Sequence, residues 1–191
     1  MSLSPEDQGR ANFYALLSRL FYAPADAGLL AALGQADELE ADDEIIAARW
    51  RELAKAAATA DPDAVREEYE TAFVGTGKAP VTLYTSAYSI KYTNETPLVL
   101  LRGELASLGL VRRNEAGEPE DHIAALCDTM RYLVSEREFP EQQRFFARWI
   151  QPISESLCNA IEQSEHTAFY KTIGRLAKAF FSLEHSAFEM L

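Results

Sequence analysis

Three acids, a proline and a histidine follow one another at Glu118-Pro119-Glu120-Asp121-His122, the acidic motif of this chain. Carboxylates bind guanidinium groups through paired hydrogen bonds, and a histidine changes its charge close to neutral pH. The spacing of the apolar residues after His122 predicts a buried helix face, with the acidic motif at the start of that helix. Pro119 is expected in the first turn, where carboxylates meet the positive end of the helix dipole. The motif therefore predicts either a recognition surface or a well-capped helix.

His122 is the residue of the motif with the widest choice of chemistry. On a helix it lies one turn from Glu118, so that carboxylate can hold the imidazole. We expect His122 to be half-exposed and either to brace the preceding loop or to donate hydrogen bonds to a bound peptide. His166 and His185, both placed on the predicted last helix, have no partners at ligand spacing. No metal site is therefore predicted.

An enzyme would use the motif differently. His122 would act as general base with Asp121 or Glu118 as its orienter, and Ser86 or Tyr88 as a second polar group, in a hydrolase or a lyase. Adjacent residues on a helix do not face each other, and the sequence contains no nucleophile elbow and no dinucleotide fingerprint. We therefore expect the protein not to be an enzyme.

Composition restricts the partners that an acidic surface can bind. Thirty acidic residues against eighteen basic ones give the 191-residue chain a formal net charge of −12. Such a chain repels phosphate backbones and anionic lipid, so nucleic acid is excluded as a partner. The first ten residues lack the pattern of a secretory signal, and no window reaches the length of a membrane span. We expect a cytoplasmic protein without stable membrane insertion, in which Cys127 and Cys158 are buried free thiols.

Helical periodicity runs through nearly all of the sequence, and no segment shows sustained alternation with period two. Ser4-Pro5 and Asp61-Pro62 combine a capping side chain with a proline, which predicts a helix start, and Gly75 predicts a helix end. Further helices are predicted over residues 25–33, 42–58 and 94–108, and another begins after His122. A helix from Pro140 is predicted to kink at Pro152. The last predicted helix begins at Ser164 and has Leu183 on its buried face. The sequence predicts an all-α fold of about eight or more helices in one globular domain, residues 1–191.

Residues 75–92 form the main irregular segment of the prediction. The stretch Gly75-Thr76-Gly77-Lys78 lacks the glycine spacing and the Lys-Ser/Thr pair of a phosphate-binding loop, and it follows a helix instead of a strand. No bound nucleotide or other cofactor is therefore expected. Charged residues are absent between Lys78 and Lys91, which predicts an ordered loop that lies against the protein body.

The order of these motifs resembles that of the TorD-type (TorD, DmsD and NarJ-like) family of redox-enzyme maturation chaperones. The resemblance depends on Phe73-Val74-Gly75, on Pro80 with Tyr84, Ser86 and Tyr88, and on the acidic motif with Met130 downstream. The segment Phe145-Phe146-Ala147-Arg148-Trp149 is similar to the later aromatic pattern of the family, so the resemblance extends over most of the chain.

This resemblance implies a cytoplasmic chaperone of anaerobic respiration that binds the catalytic subunit precursor of a molybdoenzyme. Such chaperones bind the twin-arginine leader, the apoprotein or both, and prevent export until the cofactor has been inserted. A leader of this kind is a pair of arginines followed by an apolar stretch, so its receptor needs carboxylates beside an apolar groove. Asp121 with Glu118 or Glu120 is expected to bind the guanidinium groups. The implied site consists of Glu118, Pro119, Glu120, Asp121 and His122 together with Phe73, Gly75, Pro80, Tyr84, Ser86 and Tyr88, with Phe73, Tyr84 and Tyr88 lining the groove.

One alternative is an adaptor that assembles a mature or non-exported subunit, as nitrate-reductase chaperones do, without binding a leader. Some relatives exchange helices to form dimers. The polar connector over residues 112–117 is therefore predicted as a hinge for a domain-swapped homodimer, with a monomer as the other option.

Overall fold

All regular secondary structure in the described part of the chain is helical. The computed structural model describes residues 3–39, 43–75, 77–88, 97–112 and 117–190. These ranges contain nine α-helices and no β-strand, which confirms the predicted all-α class. The helices are α1 (Pro5–Tyr22), α2 (Ala27–Gly34), α3 (Glu44–Thr59), α4 (Pro62–Tyr69), α5 (Pro97–Ser107), α6 (Ile123–Glu136), α7 (Phe139–Trp149), α8 (Gln151–Gln163) and α9 (Phe169–Glu189). A π-helical turn, Glu70–Val74, extends α4, and a 3-10 turn spans Thr85–Ala87.

Polar side chains cap two of the helices that the sequence predicted to start with proline. Ser4 Oγ accepts a hydrogen bond from the Asp7 N–H at 3.0 Å at the start of α1. Asp61 Oδ1 accepts from the N–H groups of Asp63 and Ala64 at the start of α4. Each cap satisfies backbone donors that have no partner inside the helix. Both predicted helix starts are therefore confirmed.

The start of the last helix differs from the prediction. The helix α9 begins at Phe169, not at Ser164, so His166 lies in the preceding turn and only His185 lies on the helix. Thr167 donates its hydroxyl to the carbonyls of Ile161 and Ser164, which ties this turn to the end of α8. Leu183 is 38% exposed, so its predicted place on the buried face is also wrong.

Several predicted segments extend outside the described residues. These are residue 42 of the predicted helix 42–58, residues 76 and 89–92 of the irregular segment, residues 94–96 of the predicted helix 94–108, and residues 113–116 of the predicted hinge. The described part of that helix, α5, confirms its helical character. Pro152 lies in the first turn of α8, and α7 ends at Trp149, so the predicted kink is a break between two helices.

The chain divides into two compact units. The first contains Met1–Ser18 and Leu83–Ile153, and in it α6 packs on α7. The second contains Arg19–Thr82 and Ser154–Leu191, and in it α3 packs on α2 and α9 while α4 packs on α9. A single domain over residues 1–191 remains a prediction. Within the described residues, no helix combines the length and the apolar character that a membrane crossing requires.

Candidate partner-binding site

The acidic motif lies before helix α6 and not inside its first turn. The helix begins at Ile123, and His122 is its N-cap, with extended backbone angles φ −67° and ψ 134°. The Nδ1 atom of His122 accepts a hydrogen bond from the Ala124 N–H at 3.2 Å. The predicted placement of Pro119 in the first helical turn is therefore wrong. The motif forms a turn that leads into the helix, with the His122 N–H donating to the Pro119 carbonyl at 3.1 Å.

A second segment of the first unit, residues 83–88, pairs with this turn through its backbone. The Thr85 N–H donates to the Asp121 carbonyl, and the Ile123 N–H donates to the Leu83 carbonyl, both at 2.9 Å. These two bonds form an isolated antiparallel bridge between Tyr84 and His122. The rings of Tyr84 and His122 meet edge to face, with their centroids 5.3 Å apart. Backbone pairing therefore fixes the position of the acidic motif against the Tyr84 segment.

Each carboxylate of the motif has a different environment. Glu118 Oε2 accepts the Tyr84 hydroxyl at 2.5 Å, and this bond, with burial and the nearby negative charges, raises the pKa of Tyr84 to about 12. Both oxygens of Glu120 accept from Arg102 on α5 at 3.0 Å. That pairing lowers the pKa of Glu120 and raises the pKa of Arg102. Asp121 is 4% exposed and accepts from the Ser86 N–H at 3.4 Å.

His122 is buried, and the prediction that it is half-exposed is wrong. The residue is 3% exposed. Burial lowers its pKa because the imidazolium ion loses its hydration, although the charges of Glu118 and Asp121 act in the opposite direction. A neutral ring also agrees with the role of Nδ1 as acceptor for the Ala124 N–H. His122 therefore stabilises the junction between the motif and α6, the bracing role that the sequence left open.

The remaining predicted site residues differ in exposure. Ser86 is exposed, while Tyr88 is half-buried and donates its N–H to the Thr85 carbonyl. Phe73, Gly75 and Pro80 belong to the second unit.

Phe73 is 8% exposed, and its ring packs edge to face with those of Tyr69 and Tyr170, so it is a packing residue of the second unit. Gly75 has φ 62° and ends the helical run, as predicted, because only glycine adopts that region without strain. Pro80 is exposed. The part of Phe73 in the groove, and of Gly75 and Pro80 in the binding site, remains a prediction.

Arg102, the residue that pairs with Glu120, was not among the predicted site residues. It lies on the exposed side of α5, with a side chain that is 50% exposed. Two residues further along the same helix, Glu104 accepts hydrogen bonds from Arg148 and from the indole N–H of Trp149. These contacts hold α5 in the first unit. Nothing in the spacing of Arg102 distinguishes it from other surface arginines, so only the folded structure identifies its partner.

Comparisons with known proteins show what the chain as a whole is similar to. The profile of the family described as nitrate reductase delta subunit matches residues 39–164. The chaperone protein TorD of Shewanella loihica is 24% identical over 201 residues, covering 96% of this chain and 95% of that protein. A crystal structure of a candidate redox enzyme maturation protein from Archaeoglobus fulgidus has the same fold, with a TM-score of 0.60 and 19% identity over 91% of this chain and 93% of that one.

The TorD relative is named as a chaperone, and the expectation that this protein is not an enzyme is confirmed. The family profile matches more than half of the 191 residues of this chain. The same chain contains the motifs whose order resembles that of TorD-type chaperones. This chain belongs to the nitrate reductase delta subunit family, and the TorD-type resemblance of its motifs is confirmed.

Proposed function

We propose that this protein is a cytoplasmic redox-enzyme maturation chaperone that binds the twin-arginine leader of a molybdoenzyme catalytic subunit at the acidic motif. One observation carries the proposal. Glu118 and Glu120 flank Pro119 on a turn that is paired with residues 83–88, and both carboxylates stay partly exposed. The family and the chaperone named among its relatives support the same role.

Two fixed carboxylates suit a ligand that has two guanidinium groups. Within the described residues, Glu118 uses Oε2 for Tyr84, which leaves Oε1 for an incoming donor. A carboxylate held in position loses little side-chain entropy when it binds, and its hydrogen bonds to guanidinium are stronger than neutral ones. Asp121 is buried, so it contributes its negative charge and holds Ser86 instead of contacting the leader. The half-buried rings of Tyr84 and Tyr88 provide apolar surface for the stretch that follows the arginines.

Calorimetric titration with synthetic leaders tests the proposal. Wild-type protein should bind a twin-arginine leader and should bind its twin-lysine control more weakly, because lysine cannot form the two-point contact. Glu118→Gln and Glu120→Gln should each weaken arginine-leader binding by about tenfold, the size expected for one charged hydrogen bond. Glu136→Gln, an exposed residue of α6, is the matched control and should bind as wild type does. Unchanged affinity in both motif variants would count against the proposal.

A second function follows from the family description. A nitrate reductase delta subunit profile matches residues 39–164, which favours assembly of a subunit that is not exported. In that case the protein would bind a mature subunit from which the leader had been deleted as tightly as it binds the complete precursor. A pull-down with both forms of the subunit distinguishes the two functions, since a leader-binding chaperone loses affinity for the deleted form.

A further inference from the structure

The pair between Arg102 and Glu120 has the geometry that a leader arginine would need at the same carboxylate. Arg102 Nε donates to Glu120 Oε1 and Arg102 Nη2 donates to Glu120 Oε2, each at 3.0 Å. This side-on, two-point contact uses both carboxylate oxygens together. A second guanidinium cannot form the same contact while Arg102 stays in place.

The two partners differ in exposure. The Glu120 side chain is 14% exposed, whereas the Arg102 side chain is 50% exposed. Long exposed side chains move between rotamers at little cost, and an exposed ion pair contributes little to stability. The arginine can therefore leave, while the carboxylate remains in the turn that is paired with residues 83–88.

We propose that Arg102 is an internal competitor of the leader, and that it occupies Glu120 until a leader arginine displaces it. This inference depends on the proposed function of the acidic motif, because it concerns regulation of the same site. The apparent affinity for a leader is reduced by the fraction of molecules in which Arg102 covers Glu120. Arg102 lowers the apparent affinity for arginine and lysine leaders by the same factor, so the preference for arginine comes from the two-point contact with Glu120 itself.

Substitution of Arg102 tests the inference by titration with the same twin-arginine leader. Arg102→Gln keeps a polar side chain but cannot form the charged pair, and it should bind the leader about two- to fivefold more tightly than wild type, the upper part of the range that an exposed ion pair covers. The gain should disappear in the double variant Arg102→Gln with Glu120→Gln, because the competition takes place at that carboxylate. Arg131→Gln is the matched control, since Arg131 is 46% exposed and pairs with Asp128 in the same unit.

A direct measurement follows Arg102 in the complex. Its Nε–H signal in the NMR spectrum, assigned by its absence in Arg102→Gln, should move when a saturating twin-arginine leader is added to wild-type protein. Weaker or unchanged binding by folded Arg102→Gln overturns the inference, and so does a stationary Nε–H signal at saturation. If the wild type prefers arginine leaders while either of those results holds, only the inference fails. If no variant distinguishes arginine from lysine leaders, the proposed function fails together with it.

Discussion

Tyr84 donates its hydroxyl to Glu118 Oε2 at 2.5 Å, and the two residues are 34 positions apart in the chain. The bond connects the segment at residues 83–88 with the first residue of the acidic motif. It is the side-chain counterpart of the backbone bridge between Tyr84 and His122. Together these contacts make the motif and the Tyr84 segment one structural feature of the first unit.

Tyr84→Phe should reduce the free energy of unfolding by about 1–2 kcal/mol, because it removes a hydrogen bond to a charged acceptor. Urea denaturation at pH 7 measures the change. Tyr132→Phe is a suitable control, since among the described residues the Tyr132 hydroxyl has one long hydrogen bond, accepted from the exposed Arg137 at 3.4 Å, and phenylalanine keeps the ring that this guanidinium covers. Its free energy of unfolding should stay within about 0.5 kcal/mol of the wild-type value. Equal losses in the two variants would mean that the Tyr84 bond is not stabilising.

Because of His122, the free energy of unfolding should be lower in mild acid than at pH 7. Burial lowers its pKa in the folded state, so the unfolded chain takes up the proton first as the pH falls through about 6.5. The free energy of unfolding should therefore decrease from pH 7 downwards until the folded state is protonated as well, by up to about 1.4 kcal/mol per pH unit. His122→Asn keeps a capping acceptor but does not titrate, so its unfolding energy should depend less on pH over this range.

His122→Ala completes that comparison. It removes both the cap and the titrating group, so it should lose about 1–2 kcal/mol at pH 7.5 and should share the flatter pH dependence. Urea denaturation at pH 7.5, 6.5 and 5.5 measures all three proteins. A slope in the Asn variant equal to that of wild type would contradict the assignment of this acid sensitivity to His122.

Glu68 should stabilise the N-terminus of α9, which begins about 100 residues later in the chain. Its carboxylate accepts the N–H groups of Ala168, Phe169 and Tyr170 at 2.7–3.0 Å, at the N-terminus of α9. Glu68→Ala leaves these donors without their acceptor and removes a negative charge from the positive end of the helix dipole, a loss of about 2 kcal/mol. Glu67→Ala changes an exposed neighbour on the same helix and should have little effect. Similar thermal denaturation midpoints for the two variants would disprove this role.

Replacement by alanine should change the free energy of unfolding in opposite directions at Gly34 and at Gly103. A Cβ on Gly34 would lie 2.7 Å from the Cα of Ala58, where backbone on α3 cannot move away, so Gly34→Ala should destabilise the protein by about 1–3 kcal/mol. A Cβ on Gly103, inside α5, would meet no atom within 4 Å. Gly103→Ala should therefore stabilise the protein by about 0.5–1 kcal/mol, the intrinsic difference between the two residues in a helix. Denaturation curves with shifts in the same direction would refute the packing argument.

Local sequence patterns were sufficient for most helices because the groups that define them are neighbours in the chain. Asp61 caps α4 through residues two and three positions ahead, and the Asp-Pro pair indicates that start directly. The apolar spacing after His122 likewise predicted α6, in which Leu126, Cys127 and Met130 are fully buried. Periodicity of 3.6 residues is enough to identify such a face.

The start of α9 was mispredicted for the opposite reason. Ser164 is a residue type that often caps helices, and nothing nearby in the sequence argues against it. The carboxylate that accepts the first N–H groups of α9 comes from Glu68 on α4, about a hundred residues earlier. The residues next to α9 in the sequence cannot indicate this acceptor, because Glu68 reaches the N-terminus of α9 only when α4 packs on α9.

The sequence by itself determined the all-α class, the acidic charge, and the order of motifs that indicates the family, because these depend on residue types and spacing alone. Only the tertiary structure decided what each carboxylate of the acidic motif does. It buried Asp121, joined Glu118 to Tyr84 over 34 positions, and joined Glu120 to Arg102 over 18. Partners so far apart meet only after the chain has folded, and no periodic pattern in the sequence encodes which acid each of them contacts.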